Sequence, residues 1–169
     1  LVLDENGSHP ALVCTEYLAT QGVNVELVTP ERNFAPDAGG LNIVPYMRNF
    51  VKRGVKITTL MGVSKLERKD NRIKATLWSP YTMADCGERV VDMVVVENGT
   101  MPLDDLYFAL KETSVNRGEV DYKALIAGRP QTLRTNTDGA YQLFRIGDAV
   151  ASRNIHAAIY DALRFAKTF

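Results

Sequence analysis

Two polar turns that contain glycine stand directly after apolar runs, and these are the places where the sequence could do chemistry. The first, Asp4-Glu5-Asn6-Gly7-Ser8-His9-Pro10, follows Leu1-Val2-Leu3; the second, Gly147-Asp148, follows Phe144-Arg145-Ile146. A strand-to-helix turn binds phosphate when a G-x-G-x-x-G run lets backbone N–H groups approach the anion at the helix N-terminus. The first turn keeps only Gly7 of those glycines, sets two carboxylates where phosphate charge would arrive, and replaces one N–H donor by Pro10. Like charge within about 5 Å costs phosphate binding on the order of a kcal/mol or more. The next strand-like run ends in Thr29-Pro30 with Glu31 just beyond, so the expected ribose-binding acid is missing as well. Together these features argue against productive NAD(P) binding.

Other reactive groups are sparse. His9 and His156 are the only histidines; His9 reads as a surface or capping residue at a helix start, His156 as helix surface or a domain contact. No Ser-His-Asp set or acid–base pair stands out, so no catalytic residue is assigned. Cys14 and Cys86 are far apart and lack Cys or His neighbours, so no metal or iron–sulfur site is expected, nor a disulfide. Trp78 and Tyr81 read as packing rather than a cofactor platform. Arg129, Arg134, Arg145 and Arg153 read by default as solvated charge, with an ADP phosphate or another domain as the alternative.

The elements that position these turns follow from patterning. Leu1–Leu3 is a continuous apolar run, as a buried parallel strand should be. His9 to Gln21 has helical spacing, with Pro10 in its first turn and Gly22 after it. Val23 to Val28 alternates as a second strand, completing a βαβ unit. A loop over Pro30–Gly40 leads to a helix over Leu41–Arg53, its apolar face predicted at Ile43, Val44, Met47, Phe50 and Val51, and then a strand over Val55–Leu60. The pattern next changes to a hairpin, Val63–Arg68 and Ile73–Trp78 about Asp70-Asn71, followed by one strand over Arg89–Val96 whose Met93–Val96 end returns to the parallel sheet. A helix over Leu103–Lys111 comes next. Residues 113–137 read as irregular and polar, with little to fix them. A last strand over Tyr141–Ile146 precedes a closing helix over Asn154–Lys167, striped by Ile155, Ala158, Ile159, Ala162, Leu163 and Phe165.

The 169 residues fit one domain with a small appendage. Apolar residues at 46% and charged at 24% are the balance of a soluble globular protein, and 20 basic residues against 20 acidic give no net charge. That neutrality argues against nucleic acid or an acidic membrane as a main partner. No apolar run nears the roughly 20 residues of a membrane span, and no signal peptide is visible, so a cytoplasmic protein is expected. The opening on Leu1-Val2-Leu3-Asp4 predicts a piece cut from a longer chain.

The order βαβαβ, then a meander, then a returning strand is that of an α/β, three-layer Rossmann-like FAD/NAD(P)-binding domain with a central parallel sheet and an antiparallel β-meander. Two segments carry a resemblance to the glutathione-reductase-like flavoproteins: Val91-Asp92-Met93-Val94-Val95-Val96-Glu97-Asn98-Gly99-Thr100-Met101-Pro102, similar to the strand-Gly-x-x-Pro element that closes their pyridine-nucleotide domain, and Phe144-Arg145-Ile146-Gly147-Asp148-Ala149, similar to their late Gly-Asp motif. Within that superfamily, Val2-Leu3-Asp4-Glu5-Asn6-Gly7, Glu26-Leu27-Val28-Thr29-Pro30 and Ile146-Gly147-Asp148-Ala149 resemble the C-terminal region of the multidomain old-yellow-enzyme relatives, the 2,4-dienoyl-CoA reductase, trimethylamine dehydrogenase and histamine dehydrogenase group.

The resemblance implies that Asp148 accepts a hydrogen bond from the FAD ribityl chain, a reading set against Asp148 merely capping the last helix. It implies cofactor contacts at Gly147, Asp148, Asn6, Gly7, Ser8 and Gly99, forming a partial site for FAD or ADP, with residues 1–112 a degenerate pyridine-nucleotide-type domain and 113–169 an irregular linker and returning tail of the FAD/ADP-type domain. FMN and a 4Fe-4S cluster are expected only in a missing N-terminal barrel, where the chemistry would occur. The expected partners are the other domains of an oligomeric parent, with an electron-transfer protein as a further candidate. Two alternatives stand beside this: an active NAD(P)H-binding domain passing hydride to FAD, and a non-catalytic interaction module of the same fold.

Overall fold

The computed structural model describes residues 1–167 and divides into two compact units, Leu1–Gly99 and Thr100–Phe169. The first unit opens with β1 (Val2–Asp4), α1 (His9–Thr20), β2 (Glu26–Val28), α2 (Gly40–Arg53) and β3 (Lys56–Thr58). The meander β4 (Gly62–Lys69), β5 (Arg72–Ser79) and β6 (Ala84–Val91) follows, and β7 (Val95–Glu97) returns to the first sheet. That sheet has the order β3-β2-β1-β7 and is parallel throughout; the meander is antiparallel.

Alternation along the short strands creates the layers, because successive side chains face opposite ways. Val2 and Leu27 point into a core with Ala11 and Leu12 of α1 and Phe50 of α2. Leu3 and Val28 point the other way, onto Leu77 of β5. Each fully buried Leu or Phe contributes about 1.5–3 kcal/mol through lost apolar exposure. The expected α/β arrangement of helices, parallel sheet and meander is therefore present within this unit.

The first unit departs from the sequence reading at three points. Arg89–Val96 is not one strand: Arg89–Val91 completes the meander and Val95–Glu97 pairs with β1, with a break between them. The front of β6, Ala84–Glu88, lacks any apolar alternation because it is an exposed edge. On α2 the inward face is Ile43, Tyr46 and Phe50 rather than the full predicted stripe, and Val44 and Val51 are 45% and 75% exposed. Phe34, Tyr46 and Phe50 form a tilted aromatic chain against the core, and this larger apolar area outcompetes the valine stripe for the sheet.

The second unit holds α3 (Asp105–Leu110), α4 (Tyr122–Ile126) and α5 (Ile155–Ala166). Residues 113–137 are well fixed, contrary to expectation. Asp121 caps α4 by accepting from the Ala124 N–H at 3.0 Å, and the Gln131 amide accepts from the Asp121 N–H at 2.9 Å while donating to its carbonyl at 3.1 Å. Fully buried Asn116 donates to the carbonyls of Glu119 and Leu143 and accepts from the Leu143 N–H, all at 2.8 Å. The same bonds explain why Tyr141–Ile146 is not a strand: its backbone groups are satisfied by a side chain and by the Val115 N–H instead of a ladder.

Candidate nucleotide-binding site

The sequence places its first candidate loop at the C-terminal end of β1, and the structure brings Asn6, Gly7, Ser8 and Gly99 together there. Asp4 is the organiser. It is fully buried, and its Oδ1 accepts from the Asn6 N–H at 3.1 Å and the Gly7 N–H at 2.8 Å. An aspartate at the end of a strand readily closes such a turn on its own backbone. Asn6 then donates from Nδ2 to Ser8 Oγ at 2.8 Å, and its Oδ1 lies 3.6 Å from where a Cβ on Gly99 would sit.

Two glycines are required by this geometry. Gly7 has φ +69°, and a Cβ there would lie 2.9 Å from Cδ of Pro36. Gly99 has φ +90° and donates its N–H to Glu97 Oε1 at 3.0 Å. Pro36 reaches Gly7 because the Asp37 N–H donates to the Gly7 carbonyl at 2.9 Å, which seats the 36–38 turn on the loop. Ser8 precedes α1 but makes no side-chain cap, being engaged with Asn6.

Asp4 and Glu97 are register partners on β1 and β7, so their carboxylates share a face of the sheet end. One oxygen of each, Asp4 Oδ2 and Glu97 Oε2, is buried without a partner among the described residues. This end of the sheet is thus acidic, and its Asn6 and Gly7 N–H donors are taken by Asp4. Sequence reasoning placed a carboxylate near an incoming phosphate; it did not see that Asp4 takes the N–H groups itself, nor that Glu97 stands beside it. The signal for the first was present in Asp-x-Asn-Gly after an apolar run.

The second candidate corner is built differently. Gly147, at φ +57°, is buried against Ala158 and donates its N–H to Asp161 Oδ2 at 3.1 Å. Asp148 is exposed and has no hydrogen-bond or ion-pair partner among the described residues. It does not cap the last helix. Asn154 does, accepting from the Ala157 N–H at 2.9 Å, so the capping role is taken by another residue.

His9 Nδ1 lies 3.4 Å from the Tyr46 hydroxyl, His156 is exposed on α5, and Trp78 packs over Gly62, its register partner. Tyr81, expected to pack, is instead exposed at the turn between β5 and β6, and both cysteines are free thiols. Among the described residues no cluster of His, Cys, Asp or Glu could hold a metal ion, and no helix is long and apolar enough to cross a membrane.

No family model matches the chain. Curated relatives do. It is 48% identical over 167 residues to a probable N-methylproline demethylase of Rhizobium meliloti (strain 1021), covering 99% of this chain and 24% of that one. It is 41% identical to an N,N-dimethylglycine/sarcosine dehydrogenase of Chromohalobacter salexigens, covering 100% and 25%, and 33% identical to a multifunctional alkene reductase/demethylase OYE of Caballeronia cordobensis, covering 97% and 24%. Over nearly its whole length the chain is similar to one stretch of these larger oxidoreductases. It spans about a quarter of the length of these curated relatives. Solved structures agree on the fold: histamine dehydrogenase from Rhizobium sp. 4-9 matches with TM-score 0.61 at 20% identity, over 98% of this chain and 22% of that one. A 2-naphthoyl-CoA reductase matches with TM-score 0.59 at 20% identity, over 99% and 21%.

Proposed function

We propose that this chain is a dinucleotide-fold segment of a flavin- and iron–sulfur-dependent oxidoreductase, kept for scaffolding and docking rather than for binding NAD(P). Residues 1–112 act as a degenerate pyridine-nucleotide-type domain, and 113–169 supply the linker and returning tail of an FAD- or ADP-type domain. The oxidation of an N-methylated amine takes place in a separate barrel that carries FMN and a four-iron cluster. The names of the two relatives above 40% identity, a demethylase and a dehydrogenase of N-methylated amino acids, support that substrate class over enoyl thioesters.

The carrying observation is the Asp4 carboxylate on the Asn6 and Gly7 N–H groups. A pyrophosphate at this loop would have to displace a buried anion from its own donors, approach Glu97 in the adjoining register, and move Pro36 off Gly7. Each step opposes binding. These residues do not fit a pyridine nucleotide. The corner at Gly147 fits a flavin nucleotide better, since Asp148 is an exposed carboxylate free to accept a hydrogen bond from a hydroxyl. FAD bound there would supply electron transfer, and Gly147 would supply the close turn.

The test is a fluorescence titration of the 169-residue chain with NADH and NADPH, and of the full-length protein in parallel. Neither coenzyme should saturate below millimolar concentration. Tight, saturable binding by the full-length protein would replace this reading with an active NAD(P)H-binding domain passing hydride to FAD.

A further inference from the structure

The residues that α2 leaves outside are spaced like a seam. Leu41, Val44, Arg48 and Val51 recur at intervals of three, four and three, so they form one row along the helix. Leu41 is 92% exposed, and Val44 and Val51, displaced from the sheet by the aromatic chain of Phe34, Tyr46 and Phe50, are exposed in the same row. Ile43, Met47 and Lys52 join Val44, Arg48 and Val51 in a shallow apolar groove. Folding of the first unit does not need this row. Phe50 is buried and Ile43 and Tyr46 pack on the core, so α2 is already held by another face. Single exposed apolar side chains are ordinary, but a row of them at seam spacing marks a surface that another element covers.

Charge gives the row a sign. α2 carries Arg48, Lys52 and Arg53 and no acid. Arg53 donates to the Ala19 carbonyl, whereas Arg48 and Lys52 have no hydrogen-bond or ion-pair partner among the described residues. Arg48 sits within the row itself, between Val44 and Val51, so whatever covers the valines must also meet a guanidinium. A second copy of α2 laid on this row would set Arg48 and Lys52 against the same cations, and like charges oppose that pairing. A carboxylate opposite Arg48 satisfies the guanidinium fork as the apolar contacts close.

We propose that this row docks an acidic amphipathic helix from elsewhere in the longer protein, with its apolar seam on Leu41, Val44 and Val51 and its carboxylates on Arg48 and Lys52. The curated relatives carry about three quarters of their length outside the stretch that this chain matches, which is ample chain to supply such a helix. The assignment rests on the docking role proposed above and names the surface that performs it.

Hydroxyl-radical footprinting of the folded full-length protein, read by peptide mass spectrometry, tests it. Arg48→Glu should raise the oxidation of Leu41, Val44 and Val51 by about fivefold or more, because it sets like charge against the docked carboxylate. Arg68→Glu, an equal change on an exposed residue of β4, should leave it unchanged. Carbodiimide should join Lys52 to an Asp or Glu outside residues 1–169 of the same chain. Should Arg48→Glu lose its circular dichroism signal, Val51→Ser, which removes one apolar contact and no charge, carries the comparison. Oxidation that is the same in wild type, Arg48→Glu and Val51→Ser overturns the proposal. So does a Lys52 cross-link that joins isotope-labelled to unlabelled copies, which would assign the face to a second copy. Binding of the full-length protein to phosphatidylserine vesicles that Arg48→Glu abolishes would assign the face to a lipid surface and overturn it as well. Tight NADH binding with a shielded row would remove the degenerate-domain reading and leave this surface standing; an open row without coenzyme binding would do the reverse.

Discussion

Replacing Glu26 by Gln removes the polar link between the two sheets of the first unit, and the cost should depend on pH in a defined way. Glu26 lies on β2 with its side chain 14% exposed; it accepts from Arg89 Nε at 2.8 Å and Nη2 at 3.1 Å, and from Thr58 Oγ1 at 2.7 Å, with Lys56 Nζ at 3.0 Å. Burial pushes its carboxyl up, but hydrogen bonds from Arg89, Thr58 and Lys56 outweigh burial and lower it from 4.5 to about 2. A folded-state value below the unfolded one gives stability that is fully present above about pH 4.5 and lost as pH falls toward 2. Taken at face value this is about 3 kcal/mol at neutral pH, and solvent screening around the partly exposed Arg89 and Lys56 reduces it to about 1–2 kcal/mol. Urea unfolding of wild type and Glu26→Gln at neutral pH and near pH 3 measures the difference. The gap between the proteins should shrink by more than half at the lower pH. A gap that stays constant with pH would refute the assignment of this carboxylate as the ionised hub.

Three further outcomes follow from local geometry. Gly7→Ala should cost about 1–3 kcal/mol in chemical denaturation, because the residue keeps a positive φ and its new methyl meets Pro36. Asn116→Ala should cost about 2–4 kcal/mol, since it leaves buried carbonyls and an N–H unpaired, and hydrogen exchange at the Leu143 amide should accelerate first. Asn154→Ala should lower stability by about 1 kcal/mol through loss of the α5 cap, whereas Asp148→Ala should be near neutral in the same thermal melt.

Much of the first unit was legible because its signals are local. Leu1–Leu3 and Leu27-Val28 declare buried strands, Gly54 stops α2, and Asp70-Asn71 marks the hairpin. What failed was governed by distant partners. The choice between the valine and aromatic stripes of α2 depends on Phe34, and the split at residues 92–94 depends on which sheet offers a pairing edge. In the second unit the ordering of residues 113–145 comes from Asn116 and Gln131, polar residues that in a linear reading look like loop. The structure brings the candidate residues Asn6, Gly7, Ser8 and Gly99 together at the end of β1. The decisive bond from Asp4 was hidden because a carboxylate after a strand reads equally well as a repeller of phosphate or as a closer of its own turn.

That bond changes what the loop needs in order to exist. In a phosphate-gripping turn the ligand's negative charge completes the structure, so shape and stability rise and fall with coenzyme supply. Here the chain carries the complementing anion covalently, on the last residue of β1, and the turn is complete as soon as β1 and α1 dock. Its conformation should therefore be indifferent to cellular nucleotide levels, as the proposed scaffolding role requires.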